Sequence, residues 1–546
     1  MGTFFDDASL AFLPSGAAGK DGKAYSIKPT NGTGDFTFSR GSNLSATRIG
    51  PDGLIEKGRE NLLKQSNQFD TTWTKQNATI ASGQSGYDGS SNAWLFTATN
   101  SGANLIQSVS SSGVNTFSVY AKAGTEDGIF LRVDGGDNPR LFFKLSTGAK
   151  GSTGGTIIDS SIESVGNGWY RLSLVANVSI THVKIYVADD NNGFPSSGNI
   201  LIQSAQLEAG LVATEPIESG ATTGKAGLLE DEPRFDYSGG ATCPSLLLEP
   251  SRTNIMTQSE FAALALVSNV TKTNNYTTSP EGVSNGTRLQ FTANGFVGNN
   301  TQASSTQYTL SCYAKRNDSG TQSVGFFVNG SGSVNSAWSL TSDWQRFTYT
   351  YTSSNTSYAG VAGISGADIS VYGFQMEAAP YATSYIPTYG SSVTRVAEGQ
   401  TYSGFSSLIG QTQGTLFLEV DNVANNTEIF SINRSTANAI FLRAFSNRYG
   451  IYVWSDGATW APNTSIVNTD RMKIAIAYKS NDFAIYANGS QVATNNTLTW
   501  TPNITIDTLN FNVGGYISNK GNPKFNQLLL FKTRLSNAEL ATLTTL

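Results

Sequence analysis

The chain has 546 residues, of which 14% are charged, with 35 lysines and arginines against 40 acids, two cysteines and one histidine. At about 150 residues per domain, that length provides for roughly three or four domains, each large enough for its own core. A net charge of −5 without basic clustering excludes the electropositive surface that phosphate backbones require. No apolar run approaches the ~18 residues of a membrane-spanning helix, so neither nucleic acid nor membrane insertion is expected.

The opening Met1-Gly2-Thr3-Phe4-Phe5-Asp6-Asp7 has neither a basic n-region nor an apolar h-region and is not read as a secretory signal. Residues 1–60 are glycine-rich and show no core of their own.

From there the texture is short strands and polar turns, which predicts an all-β protein. One architecture occurs twice. Asn61-Leu62-Leu63 recurs as Asn254-Ile255-Met256, and Ser118-Val119-Tyr120-Ala121-Lys122 as Ser311-Cys312-Tyr313-Ala314-Lys315, both at an offset of 193 (61 to 254, 118 to 311). Phe96-Thr97-Ala98 matches Phe291-Thr292-Ala293 at an offset of 195 (96 to 291). Trp169-x-Arg171 matches Trp344-x-Arg346, and Gln206-x-Glu208-Ala209 matches Gln375-x-Glu377-Ala378. Five matched blocks in one order mean an internal duplication. The predicted domains are an N-terminal segment over 1–60, β-sandwiches over 61–217 and 254–392, a linker over 218–253, and a third β-sandwich over 400–546.

Within these modules several residues invite a functional reading. In Thr181 to Val187, the alternation of Val183, Ile185 and Val187 marks the buried face. His182 is then a surface strand residue rather than a triad member. One histidine cannot build a three-imidazole metal centre, and neither a G-x-S-x-G elbow nor a P-loop occurs. Two cysteines are too few for a disulfide framework, and Cys312 sits in an apolar strand where a thiol packs like a small apolar side chain. The acidic turns Asp134 to Asn138 and Asp189 to Gly193 offer oxygen ligands but match no EF-hand loop. They are read as solvated turns, and no metal or cofactor is expected.

Trp169 and Trp344 recur beside an arginine and are read as core anchors, with Trp73 and Trp94 between core and ligand roles. Trp454 and Trp460 bracket the turn-like Ser455-Asp456-Gly457-Ala458-Thr459. Tyr452, Trp454, Asp456 and Trp460 are therefore the candidate glycan contacts, rings for the C–H face of a pyranose and a carboxylate for its hydroxyls. Local packing or a subunit contact is the alternative role. Near the C-terminus, Phe483 to Ala487 leads into an Asn488-Gly489 hairpin turn. Ser536-Asn537-Ala538-Glu539 forms a capping box flanked by Leu535 and Leu540, which predicts one short helix.

Residues 400–546 resemble the laminin-G or concanavalin-A-like jelly roll. The likeness is carried by Gly414 to Leu418, Ile474 to Tyr478, Tyr486-Ala487-Asn488-Gly489 and the strand Leu528 to Leu535 running into the capped helix. The duplicated modules resemble carbohydrate-binding jelly rolls of bacteriophage virion proteins through Asn-Leu-Leu, Tyr-Ala-Lys, Trp-x-Arg, Gln-x-Glu-Ala and Ala382 to Thr388. Phe36 to Ser42, Ala46-Thr47-Arg48, Asp52 to Glu56 and Cys243 to Asn254 are similar to segments of the same proteins. This resemblance implies a virion structural protein, a head or tail fibre or appendage, made in the host cytoplasm and exposed on the particle. It further implies attachment to other virion proteins through the N-terminal segment, adhesion to host surface glycans without catalysis, and a homo-oligomer, preferably a trimer. The rival expectations are a purely structural decoration or connector and, behind it, a polysaccharide depolymerase.

Overall fold

The computed structural model describes residues 2–14, 19–20, 22–41, 43–264, 266–299, 302–320, 323–421, 428–432, 438–444, 449–455, 458–462, 471–502, 504–511 and 524–546. The chain forms two units, one from residues 1–56, 228–252 and 394–546, the other from 57–227 and 253–393. Both are built from antiparallel β-sheets, as the strand-and-turn texture predicts. Among the described residues, no helix is long and apolar enough to cross a membrane.

In the first unit two sheets enclose one core. Seven strands run in the order Arg234–Asp236, Ser245–Leu247, Lys524–Phe531, Gln413–Asp421, Arg471–Lys479, Phe483–Ala487 and Ser490–Asn495, and Leu10–Phe12 also pairs with Lys524–Phe531. The second sheet runs from Gly19–Lys20 through Phe36–Ser39 and Gly399–Ser403 to Tyr449–Ser455 and Ala458–Trp460. Phe12, Phe36 and Phe38 join Phe430, Phe511 and Phe525 in the buried cluster between them. The expected hairpin is present, with Asn488 at φ +47° and Gly489 at φ +82°, the left-handed pair that a tight hairpin turn needs. So is the C-terminal helix Asn537–Thr544. The Ser536 hydroxyl accepts from Glu539 N–H, the Glu539 carboxylate accepts from Ser536 N–H at 2.7 Å, and Leu535 and Leu540 are buried.

The sequence places residues 1–60 and 218–253 as a separate segment and a linker, but here both contribute strands to sheets. Leu10 lies opposite Leu530 and Gly399 opposite Ser39. A glycine-rich stretch with few apolar residues buries them by adding strands to a sheet made later in the chain, so it needs no core of its own. The same stretches build a second, charged core. The Arg234 guanidinium meets Glu398 and, at 2.8 Å, Glu249. Arg395 reaches Glu249 at 2.7 Å and Arg40 reaches Glu398 at 3.2 Å. All five side chains are buried, and burial alone would lower the pKa of Arg234, but Glu398 and Glu249 outweigh it and hold the guanidinium above its ordinary value. Two segments singled out by resemblance, around Arg40 and Glu249, thus meet at one ion cluster with Arg234, Arg395 and Glu398.

The second unit contains the duplication. In the first copy two six-stranded sheets face each other. One is centred on Val114–Ala123 and Gly198–Ala209, the other on Gly128–Asp134 and Ile180–Ala188. Val183, Ile185 and Val187 are buried between them, and His182 faces outward, as the alternation predicts. In the second copy one strand, Gly286–Asn299, spans what are two strands in the first, Ala93–Ala98 and Asn104–Ser111, and merges the sheets into one. Strand pairing corrects one sequence match. Trp94 lies opposite Ile202 where Thr287 lies opposite Val371, so the copies keep an offset of 193 (94 to 287). Phe96 therefore corresponds to Leu289, and the Phe-Thr-Ala match is displaced by two residues.

The recurring motifs hold each sandwich closed. Glu208 accepts from the Thr214 N–H and hydroxyl at 2.8 and 2.7 Å, and Ile217 N–H donates to Gln206 at 2.7 Å. In the second copy Glu377 accepts from Thr383 at 2.9 and 2.5 Å, and Ile386 N–H donates to Gln375 at 2.7 Å. Trp169 is buried as expected. Trp344 is only half-buried, because its loop leaves the ring beneath Lys315, 5.1 Å from the ammonium. Cys312 is fully buried, and burial pushes its thiol pKa well up.

Candidate functional site

In the first copy a β-bulge sets the site. Ala93 pairs with Gln84 but Leu95 pairs with Ala81, so Ser82 and Gly83 are extruded opposite Trp94. Gly83 takes φ +84° and has nothing within 4 Å of where a Cβ would stand. Beside this bulge opens a cleft of about 350 Å3. Its floor is Trp94, Asn67, Ser66 and Ser219, and its rim is Gln68, Ser82, Ser91, Asn92 and Glu218.

The floor is fixed by its own hydrogen bonds. The Trp94 indole N–H donates to the Asn67 carbonyl at 2.9 Å, and the Asn67 side-chain oxygen accepts from Ser204 N–H at 3.0 Å. Ser66 and Ser219 each donate a backbone N–H to the other's hydroxyl at 3.0 Å. The rim is different. Gln68, Ser82, Ser91 and Glu218 are exposed, and none of their side chains makes a hydrogen bond or ion pair within the described residues. A rigid floor carrying one aromatic edge beneath unengaged hydroxyl, amide and carboxylate groups suits a polyhydroxylated ligand.

In the second copy the same floor recurs beside a buried lysine. Ser259 and Thr388 repeat the Ser66–Ser219 exchange, at 3.0 and 2.8 Å. Glu260 stands for Asn67, Glu281 for Asp88, Tyr372 for Gln203 and Tyr389 for Gly220. Lys57 inserts its ammonium 3.2 Å from Glu260 and 3.0 Å from Glu281, and donates to the Tyr389 hydroxyl at 2.5 Å. Arg59 adds a contact to Glu281. Burial alone would lower the Lys57 pKa, but Glu281 and Glu260 outweigh it and raise it. Burial would raise Glu281, but Lys57 and Arg59, helped by the Tyr372 hydroxyl, bring it down to about 2. Glu260 is held above its ordinary value by burial, which Lys57 only partly offsets, and its second oxygen has no hydrogen-bond partner.

The residues expected to bind sugar do not converge. Tyr452 and Trp454 lie in the strand Tyr449–Ser455 and Trp460 in Ala458–Trp460, not in a loop. Tyr452 and Trp454 flank Phe441, with ring centroids at 4.7 and 4.9 Å, on the outer face of the sheet. Trp460 lies opposite buried Val453, and its ring meets core Phe483 at 5.8 Å. Strand alternation therefore separates it from the other two. Asp456 lies outside the described residues. In the acidic turns, Asp189 accepts from the N–H groups of Asn191 and Gly193 at 2.9 and 2.7 Å, and Asp134 pairs with Arg132 and Lys184.

The cleft residues Gln68, Ser82, Ser91 and Glu218 were missed because polar turn residues carry no motif. A usable signal lay in positions where the two copies differ within matched blocks, such as Asn67 against Glu260.

No family model matches the sequence, and no curated protein matches it. Among solved structures, the chain is similar in part to the CBM40 of Ruminococcus gnavus IT-sialidase bound to α2,3 sialyllactose, at 15% identity over 27% of this chain and 92% of that one, TM-score 0.24. It is similar to domain 4 of AbnA, a GH43 extracellular arabinanase of Geobacillus stearothermophilus in complex with arabinotriose, at 14% identity over 27% and 73%, TM-score 0.24. It is also similar to a SAP-like pentraxin of Limulus polyphemus, at 15% identity over 27% and 72%, TM-score 0.22. Each likeness extends over about one module of this chain.

Proposed function

We propose that this chain is a glycan-binding structural component of a bacteriophage virion, and that the first-copy cleft is its sugar contact. One observation carries the binding reading: four unengaged hydrogen-bonding side chains surround a cleft with a pre-set floor containing Trp94. The virion assignment, with homotrimeric assembly and display on the particle exterior, rests on the sequence resemblance. Binding without cleavage is part of the proposal. The cleft presents a single carboxylate, Glu218, whereas glycoside hydrolysis pairs two.

The test is titration of the full chain against a panel of polysaccharides and oligosaccharides, with released reducing ends assayed in the same tubes. Saturable binding without product is expected. Ser82→Trp, which fills the cleft from an exposed position, should weaken it by more than about tenfold. Binding unaffected by Ser82→Trp but lost in Trp454→Ala would move the site to the outer aromatic face. Attachment through the N-terminal segment remains a proposal whose test must be point variants. Deleting residues 1–60 would also remove strands from the first unit.

A further inference from the structure

We infer that the first unit carries a separate ligand site, an apolar pocket with one cationic end that takes an aliphatic chain ending in a carboxylate, as a fatty acid does. The sheet containing Gln413–Asp421, Arg471–Lys479 and Lys524–Phe531 is apolar on both faces. Its inner face joins the core described above, and its outer face presents Phe417, Ala475, Ala477, Leu529 and Phe531, all buried. Two short helices, Gly2–Asp7 and Asn537–Thr544, pack against that outer face through Phe4, Phe5, Leu540 and Leu543. Between them remains a pocket of about 400 Å3, a volume suited to a small ligand. Phe4 and Phe5 of one helix, Leu543 of the other, and Phe417 and Leu529 of the sheet give it apolar walls. The first of these helices is pinned, because the Phe5 carbonyl accepts from the Lys28 ammonium at 3.2 Å.

One end of the pocket is polar. Lys473 is the one charged residue among those lining it, and it is 7% exposed. Its ammonium donates to the carbonyl of Thr545, another lining residue, at 2.8 Å, and forms no ion pair among the described residues. Glu419, which lies opposite Lys473 across the strands, is taken by Arg471 at 2.5 Å. Gln527, opposite Glu419 on the other side, also lines the pocket, and its amide makes no hydrogen bond among the described residues. A buried ammonium with donors to spare, beside an unengaged amide, is matched by a carboxylate, which accepts from both. Without a counter-charge, that ammonium is costly to bury. The walls then call for an aliphatic tail. A sugar would turn its hydroxyls toward Phe417 and Leu529, and a cationic amphiphile would meet like charge at Lys473.

The probes are octanoate and decanoate, with decanol and decylammonium as controls, titrated calorimetrically into the full chain at neutral pH and below their micelle-forming concentrations. Decanoate should bind saturably, at least about tenfold more tightly than decanol. Each methylene gained from octanoate to decanoate should add a factor of about three to four. Decylammonium, of opposite charge, should bind most weakly. Lys473→Met should abolish the preference for decanoate over decanol and leave decanol binding unchanged. Thr542→Trp, which fills the pocket from an exposed helix position, should abolish binding of both with the thermal melt unchanged. Decanoate bound no better than decanol or decylammonium, or keeping its preference in Lys473→Met, overturns the carboxylate assignment. Binding that survives Thr542→Trp places the ligand elsewhere and overturns the pocket, as does failure of every probe to bind.

Discussion

Asn61 and Asn254 make the same four hydrogen bonds in the two copies. The Asn61 amide donates to the carbonyls of Ala205 and Ile217 at 3.1 and 2.9 Å, and its oxygen accepts from Leu63 and Leu207, both at 3.1 Å. Asn254 donates to Phe374 and Ile386 at 3.3 and 2.9 Å and accepts from Met256 and Met376 at 3.1 Å. Each asparagine joins the entering strand of its sandwich to the leaving one. Asn61→Ala or Asn254→Ala should cost about 3 kcal/mol, because it strands buried backbone groups as well as deleting bonds. Chemical denaturation of the full chain checks this, and equal losses at the two sites are expected.

Glu281 and Glu260 flank one lysine yet should respond differently to substitution. Glu281 has a folded pKa of about 2, so it contributes stability that is complete above the unfolded value and is lost as pH falls toward 2. Glu281→Gln should therefore cost about 3 kcal/mol at neutral pH, shrinking below about pH 4. Glu260, raised by burial, is already hard to ionise, and Glu260→Gln should cost less at neutral pH. Urea melts of both variants across acid pH would show the crossing or refute it.

Removing Glu398 takes a carboxylate from two buried guanidiniums, Arg40 and Arg234, and leaves Arg234 to Glu249. Glu398→Ala should destabilise the first unit by about 3–5 kcal/mol. Hydrogen exchange should locate the loss in strands Leu10–Phe12 and Gln413–Asp421, with protection retained in the second unit.

Trp460→Ala should lower stability by about 2 kcal/mol through lost contact with Phe483, while Trp454→Ala should change it by less than about 1 kcal/mol. Thermal melts of the two variants separate the core-facing tryptophan from the outward one.

The duplication, the capped helix, the Asn488-Gly489 hairpin and the outward histidine were legible in the sequence because each is a local pattern with a local cause. The strand status of Trp454 and Trp460 was not. Ser455 to Thr459 read as one loop, because small and polar residues at the ends of strands have the same composition as a loop. The cleft was hidden for another reason. It arises from a bulge at Ser82 and Gly83 and from a rim drawn from three distant segments, and no spacing along the chain encodes that meeting. Of the ion cluster, only the segments carrying Arg40 and Glu249 stood out in the sequence, and their shared purpose appears only when Arg234, Arg395 and Glu398 are seen with them.

The antiparallel match of Leu10 with Leu530 also sets a schedule for synthesis. The first strand of the chain must wait on the ribosome until nearly the last has emerged, since its hydrogen-bond partners lie in Lys524–Phe531. The residues of the second unit end at 393, so its two sandwiches can form while most of the remainder is still being translated. Premature termination before Lys524 would therefore release a chain whose duplicated modules can fold but whose strand Leu10–Phe12 lacks its partner.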